Sequence, residues 1–118
     1  MSEKTDKIKI LSDCLGKAGD LGGLIEYGKD SVVSKTILDK PAGTITLFAF
    51  DSGQGLSEHT SPYDATIFVL DGSAKLTIGG KEQNVISGQI IIMPVNVPHS
   101  VYAEQRFKML LIMIRSAS

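Results

Sequence analysis

Between residues 65 and 93 the chain turns at Asp71-Gly72, at Gly79-Gly80 and at Ser87-Gly88. Each pair separates two short runs of apolar and β-branched residues. Asp-Gly and Gly-Gly accept the positive φ that a two-residue hairpin turn requires, so they mark hairpins strongly. Turns this close together leave no room for helices between them. They predict strands at Ala65–Leu70, Ala74–Ile78, Gln83–Ile86 and Gln89–Met93. The pattern continues on both sides. Residues from Val32 to Leu38 are β-branched or apolar, Lys40-Pro41-Ala42-Gly43 reads as a turn, and Thr44–Phe50 reads as a strand. Ser100–Ala103 and Phe107–Ile114 follow a loop bounded by Pro94 and Pro98. Many short strands with such turns predict an all-β, antiparallel sandwich or barrel.

With 118 residues, one domain with its own core is expected. Residues 31–115 read as the barrel and 1–30 as an arm or short helix packed on it. Ile8, Leu11, Cys14 and Leu15 fall at roughly helical spacing, and Gly16 and Gly19 would end a short helix there. Cys14 is the single cysteine, so no internal disulfide forms and a reducing compartment is expected. The start, MSEKTDKIKI, is charged and lacks the apolar core of a secretory signal, and no apolar run approaches the ~20 residues of a spanning helix. These features predict a cytoplasmic protein without membrane partners. A net charge of -1 with no basic run, and 6% aromatic residues, argue against a nucleic-acid partner.

His59 and His99 are the only histidines, and they bracket the hairpin series. Gly53 stands six positions before His59, and Gly72 closes the stretch after it. Gly88, Pro94 and His99 repeat a similar spacing at the other end. This paired spacing resembles the two motifs of the cupin superfamily, in particular small single-domain, RmlC-like cupins. The first family motif has two further ligands. Ser61 stands where its second histidine would be and Ala65 where its glutamate would be. In the second motif Asn96 replaces a glycine and Ala103 an asparagine.

The resemblance implies an antiparallel cupin β-barrel of jelly-roll topology with a pocket inside one end. It also implies that His59 and His99 point into that pocket with Ser61, Tyr63 and Asp64 nearby. Metal-binding cupins hold iron, manganese, nickel or zinc with three histidines and a glutamate. Two of those four ligands remain here, so a site of His59, His99 and water would hold a divalent metal weakly. Asp64 is the candidate third ligand, but in a regular strand it faces away from Ala65. A bulge would lift that objection.

Three functions compete on this reading. One is a binding module for a small polar molecule, such as a sugar or organic acid, with or without a metal. Closure of the interior by Phe48, Phe50, Ile67 and Val101 would count against it. Another is a metal-dependent oxygenase or isomerase using His59, His99 and Asp64. The third is a metal-free acid–base enzyme, resembling sugar epimerases of the superfamily, using His59, Tyr63 and Asp64. Met93, Met109 and Met113 read as core filler.

Three strands carry apolar residues on both faces: TIFVL (66–70), IIIM (90–93) and MLLIMI (109–114). Antiparallel strands with one wet face alternate instead. Something must cover the second face, and a second copy packed sheet against sheet is the expected cover.

Overall fold

The computed structural model describes residues 8–115. Its strands are β1 (Lys9–Ile10), β2 (Val32–Lys40), β3 (Gly43–Phe50), β4 (Gly55–His59), β5 (Asp64–Asp71), β6 (Ser73–Ile78), β7 (Lys81–Ile86), β8 (Ile90–Met93), β9 (His99–Tyr102) and β10 (Phe107–Ile114). They form two antiparallel sheets, ordered β1-β2-β3-β10-β5-β8 and β4-β9-β6-β7. The expected strands from β5 to β10 appear within a residue or two of their expected positions, but only Gly79-Gly80 closes a hairpin, whereas Asp71-Gly72 and Ser87-Gly88 carry the chain from one sheet to the other.

The expectation of a closed barrel is corrected: among the described residues β1 and β8 are free edges of one sheet, and β4 and β7 of the other. The chain crosses between sheets through loops such as Thr60–Tyr63 and Pro94–Pro98, not through bent strands that would carry the ladder round the corner. Of the two forms expected for the N-terminal segment, a short helix or an ordered arm, the described residues take the arm. Lys9 and Ile10 pair with Asp39 and Leu38 of β2, and the Leu11 amide donates to the Ile37 carbonyl at 2.8 Å. Single 3-10 turns follow at Ser12–Cys14 and Leu21–Gly23. Leu15 is already extended after the first of them, and a single turn is too short for a helix to offset its nucleation cost.

Inward residues of both sheets build the main core. At one end Phe48, Phe50 and Phe107 stack, with centroids 5.9 and 4.5 Å apart, and fill the space between the sheets. Leu76, Ile67 and Val69 extend this core, all fully buried. The opposite end, where Met113 faces Ala65 across the β5–β10 ladder, is less full.

A second core lies on the outer face of the larger sheet. Ile25 of the arm is buried there with Leu47 and Ala49 of β3, and Leu21, Leu24 and Tyr27 pack beside them. Lys35 Nζ donates to the Leu24 carbonyl at 2.9 Å and Lys108 Nζ to the Gly22 carbonyl at 2.8 Å. The protein's own arm therefore covers part of the face for which a second copy was expected. At the edge of this region the Asp51 carboxylate accepts from the Asp30 amide at 2.7 Å and from Arg106 Nε at 2.9 Å. Among the described residues no helix is long and apolar enough to cross a membrane.

Candidate functional site

β4 pairs with β9, and the ladder sets His59 directly opposite His99. A forty-residue separation in sequence thus becomes one cross-strand contact. The ladder shifts register between Leu56 and His59. That irregularity matters, because both residues line the same cavity although they are three positions apart. An unbroken strand would point them to opposite faces. The imidazole centroids lie 4.4 Å apart with the rings inclined at 69°. The two Nε2 atoms are 3.1 Å apart. His99 is buried, whereas His59 is exposed at the mouth.

Each ring is fixed by the main chain two residues earlier. His59 Nδ1 lies 2.7 Å from the Ser57 carbonyl and His99 Nδ1 3.1 Å from the Val97 carbonyl. A carbonyl oxygen can only accept, so both Nδ1 atoms carry hydrogen. Two neutral rings would then present bare lone pairs to each other across 3.1 Å. Two acceptors do not satisfy one another. The pair is satisfied when one hydrogen sits between the Nε2 atoms, when a cation does, or when a ligand donates to them.

The cavity beside this pair measures ≈ 280 Å³. Ser61 and Tyr63 line it, as expected, together with Thr60. Ser61 is buried, and its Oγ accepts from the Tyr63 amide at 3.1 Å, which shapes the turn into β5. The Tyr63 ring lies under the Arg115 guanidinium, 5.5 Å from its centroid. Asp64 is not brought to the site. It is exposed, pairs with Ile114, and shares the outer face of the sheet, while its neighbour Ala65 is buried against the cavity. No bulge at that position reverses the alternation. Glu58 beside His59 is likewise exposed and absent from the lining.

The rest of the lining is apolar and includes Ile67, Val101 and Leu111. Met93 and Met109 belong to the buried core and Met113 packs against it, as expected, and all three also line the cavity. Inward parity along β10 (109, 111, 113) was the available signal for them. Phe48 stacks on Phe50 and Phe50 on Phe107 at the other end, and they do not close the cavity. Ala65 helps to keep it open, since it occupies the position where metal-binding cupins carry a glutamate. Asn96 adopts φ 62°, which explains how it replaces the glycine of the second motif: asparagine tolerates the left-handed region.

The donor set fits a divalent metal in part. Two Nε2 atoms 3.1 Å apart subtend roughly 100° at an ion about 2.0–2.1 Å from each, a normal angle between imidazole ligands. Donation of both Nδ1 hydrogens to carbonyls is the usual support for metal-binding histidines. Among the described residues, however, no third His, Cys, Asp or Glu joins them.

Two facing antiparallel sheets with a histidine pair over an internal cavity define the cupin class of small β proteins. The Cupin domain family model matches residues 46–115, and the chain belongs to that family. A solved structure of a conserved protein of unknown function from Streptococcus pyogenes is similar over nearly the whole chain. It has 33% identity and a TM-score of 0.85, with 94% of this chain and 96% of that one covered. A cupin 2 conserved barrel domain protein from Leptotrichia buccalis has 39% identity and a TM-score of 0.78, over 80% of this chain and 46% of that one. A cupin superfamily protein from Desulfitobacterium hafniense has 27% identity and a TM-score of 0.79, covering 81% and 88%. A search of curated proteins finds no match.

Proposed function

We propose that this cupin, working as a cytoplasmic homodimer, binds a small molecule with an apolar body and a polar or anionic head. The carrying observation is the pair of Nε2 atoms 3.1 Å apart at the wall of a ≈ 280 Å³ cavity that is otherwise mostly aliphatic and methionine-lined. The flexible thioethers of Met93, Met109 and Met113 suit an apolar body, since they adapt to its shape. The head, a hydroxyl that donates to an Nε2 atom or a carboxylate that binds through a cation held by both, meets the histidine pair, Thr60 and Ser61. Compared with a sugar, such a ligand leaves fewer polar groups unsatisfied against this lining.

A divalent ion, if taken up, would be held by the Nε2 atoms of His59 and His99, with its other positions open to water or the ligand head. Bound there, it would supply Lewis acidity toward that head. The enzyme readings that use Asp64 lose their carboxylate, because it lies on the outer face of the sheet. Backbone carbonyls, not Asp64, orient the two rings.

The test is thermal unfolding of the full chain with a panel of short aliphatic and aromatic carboxylic acids, each with and without added zinc or manganese. At least one acid should raise the midpoint by several degrees. His99→Ala and the cavity-filling Ala65→Leu should each abolish the shift. No shift from any acid, or an equal shift in both variants, would refute the reading. Equilibrium dialysis with zinc alone should show weak binding that His59→Ala removes.

A further inference from the structure

The midline of the six-stranded sheet falls between β3 and β10, and the part of its outer face that the described residues leave uncovered is arranged symmetrically about that line. One row of outward residues crosses all six strands: Ile10, Leu38, Ile45, Ile112, Thr66 and Ile92. Ile92 is 62% exposed. The next outward row reads Lys40, Gly43, Ile114 and Asp64. Ile114 is 61% exposed beside a residue without a side chain. Leu38, Ile45, Ile112 and Ile114 line an apolar groove of ≈ 250 Å³ along the same line. Residues 21–27 of the arm cover the sheet around Leu47 and Leu110, away from these rows, which Ile10 of the arm joins at one end.

We propose that this groove is the homodimer interface, with the two-fold axis running along the strands above the gap between β3 and β10. The proposal rests on the dimer stated above and adds its face and its axis. A two-fold axis in that place reverses each row onto itself. Ile10 then meets the partner's Ile92, and Ile45 meets the partner's Ile112. Ile114 stands over the partner's Gly43, so a projecting side chain faces a bare backbone. Lys40 meets the partner's Asp64, and each such pair occurs twice by symmetry. This charge match favours a second copy over a lipid surface or an unrelated protein. An apolar row with opposite charges at its two flanks is complementary to itself when reversed. The same arrangement gives Asp64, which the cavity does not use, a place at the rim.

Sedimentation equilibrium of the full chain tests the proposal. The wild type should run at twice 12.6 kDa at micromolar concentration. Ile112→Asp should raise the dimer dissociation constant at least about 100-fold, since it places two buried charges on the axis. Circular dichroism should show the fold intact. Lys40→Glu and Asp64→Lys should each weaken the dimer by roughly 3- to 10-fold, and the double exchange should restore it. A wild-type monomer would refute both the dimer and this interface. A dimer that Ile112→Asp leaves unchanged, or single charge variants that the double exchange does not rescue, would refute the interface alone.

Discussion

Gly72 joins β5 to β6 at φ 78°, and a Cβ there would run into the carbonyl oxygen of Arg106. Gly80, in the next turn, has φ 84° with open space around it. The two positions share a backbone conformation and differ in crowding. Gly80→Ala should therefore cost only the conformational term, about 1–2 kcal/mol. Gly72→Ala should cost about 1–3 kcal/mol more, because backbone must shift to admit the methyl. Urea unfolding with an unchanged slope would measure both, and equal losses would remove the steric account. Turn glycines of this kind were legible from sequence alone, since only a few residue types accept that φ. The roles of Ser61 and Asp64 were not. Facing inward or outward is decided by one residue of register, and the sequence around Pro62 carries no sign of where β5 begins.

The arm shows at the level of elements how tertiary contacts override spacing. Ile8, Leu11, Cys14 and Leu15 have helical periodicity, yet the chain extends to pair with β2. Pairing satisfies backbone groups against an existing edge, whereas one or two helical turns interrupted by Gly16 cannot sustain themselves. Beyond it, Ile25 fixes residues 21–27 to the outer sheet face. Ile25→Ala should destabilise the protein by about 2–4 kcal/mol, read by thermal or urea unfolding. Carboxylic-acid binding in the cavity should stay unchanged, because the arm and the cavity lie on opposite faces of that sheet. A loss of binding parallel to the loss of stability would show that the two faces are not independent. Strands β5 to β10 were legible because turn chemistry brackets each one. β1 and β4 were not, since β1 is two residues long and β4 follows a glycine-rich loop with only one large aliphatic residue, Leu56.

Over the whole molecule, Asp51 ties three distant segments together and gives the fold an acid limit. The hydrogen bond from Arg106, then those from the Asp30 and Ser52 amides, hold its carboxyl at about 2 against the opposing effect of burial. An unfolded aspartate takes up its proton near 3.9, before the folded one does. The stabilisation is complete above about pH 5 and is lost as pH falls toward 2. The urea midpoint should drop between pH 5 and 2.5, and Asp51→Asn should flatten that part of the curve. Parallel curves for the two proteins would show that other groups set the acid limit. The residues alone determined the class of fold and the two histidines, because turn positions, strand periods and rare residue types are local properties. Tertiary structure alone decided that the two Nε2 atoms face each other, that no bulge turns Asp64 inward and that an open cavity remains beside the methionines. Those outcomes depend on the register of β4 against β9 and of β5 against β10. Register is set by packing between sheets, not by any segment's own preference.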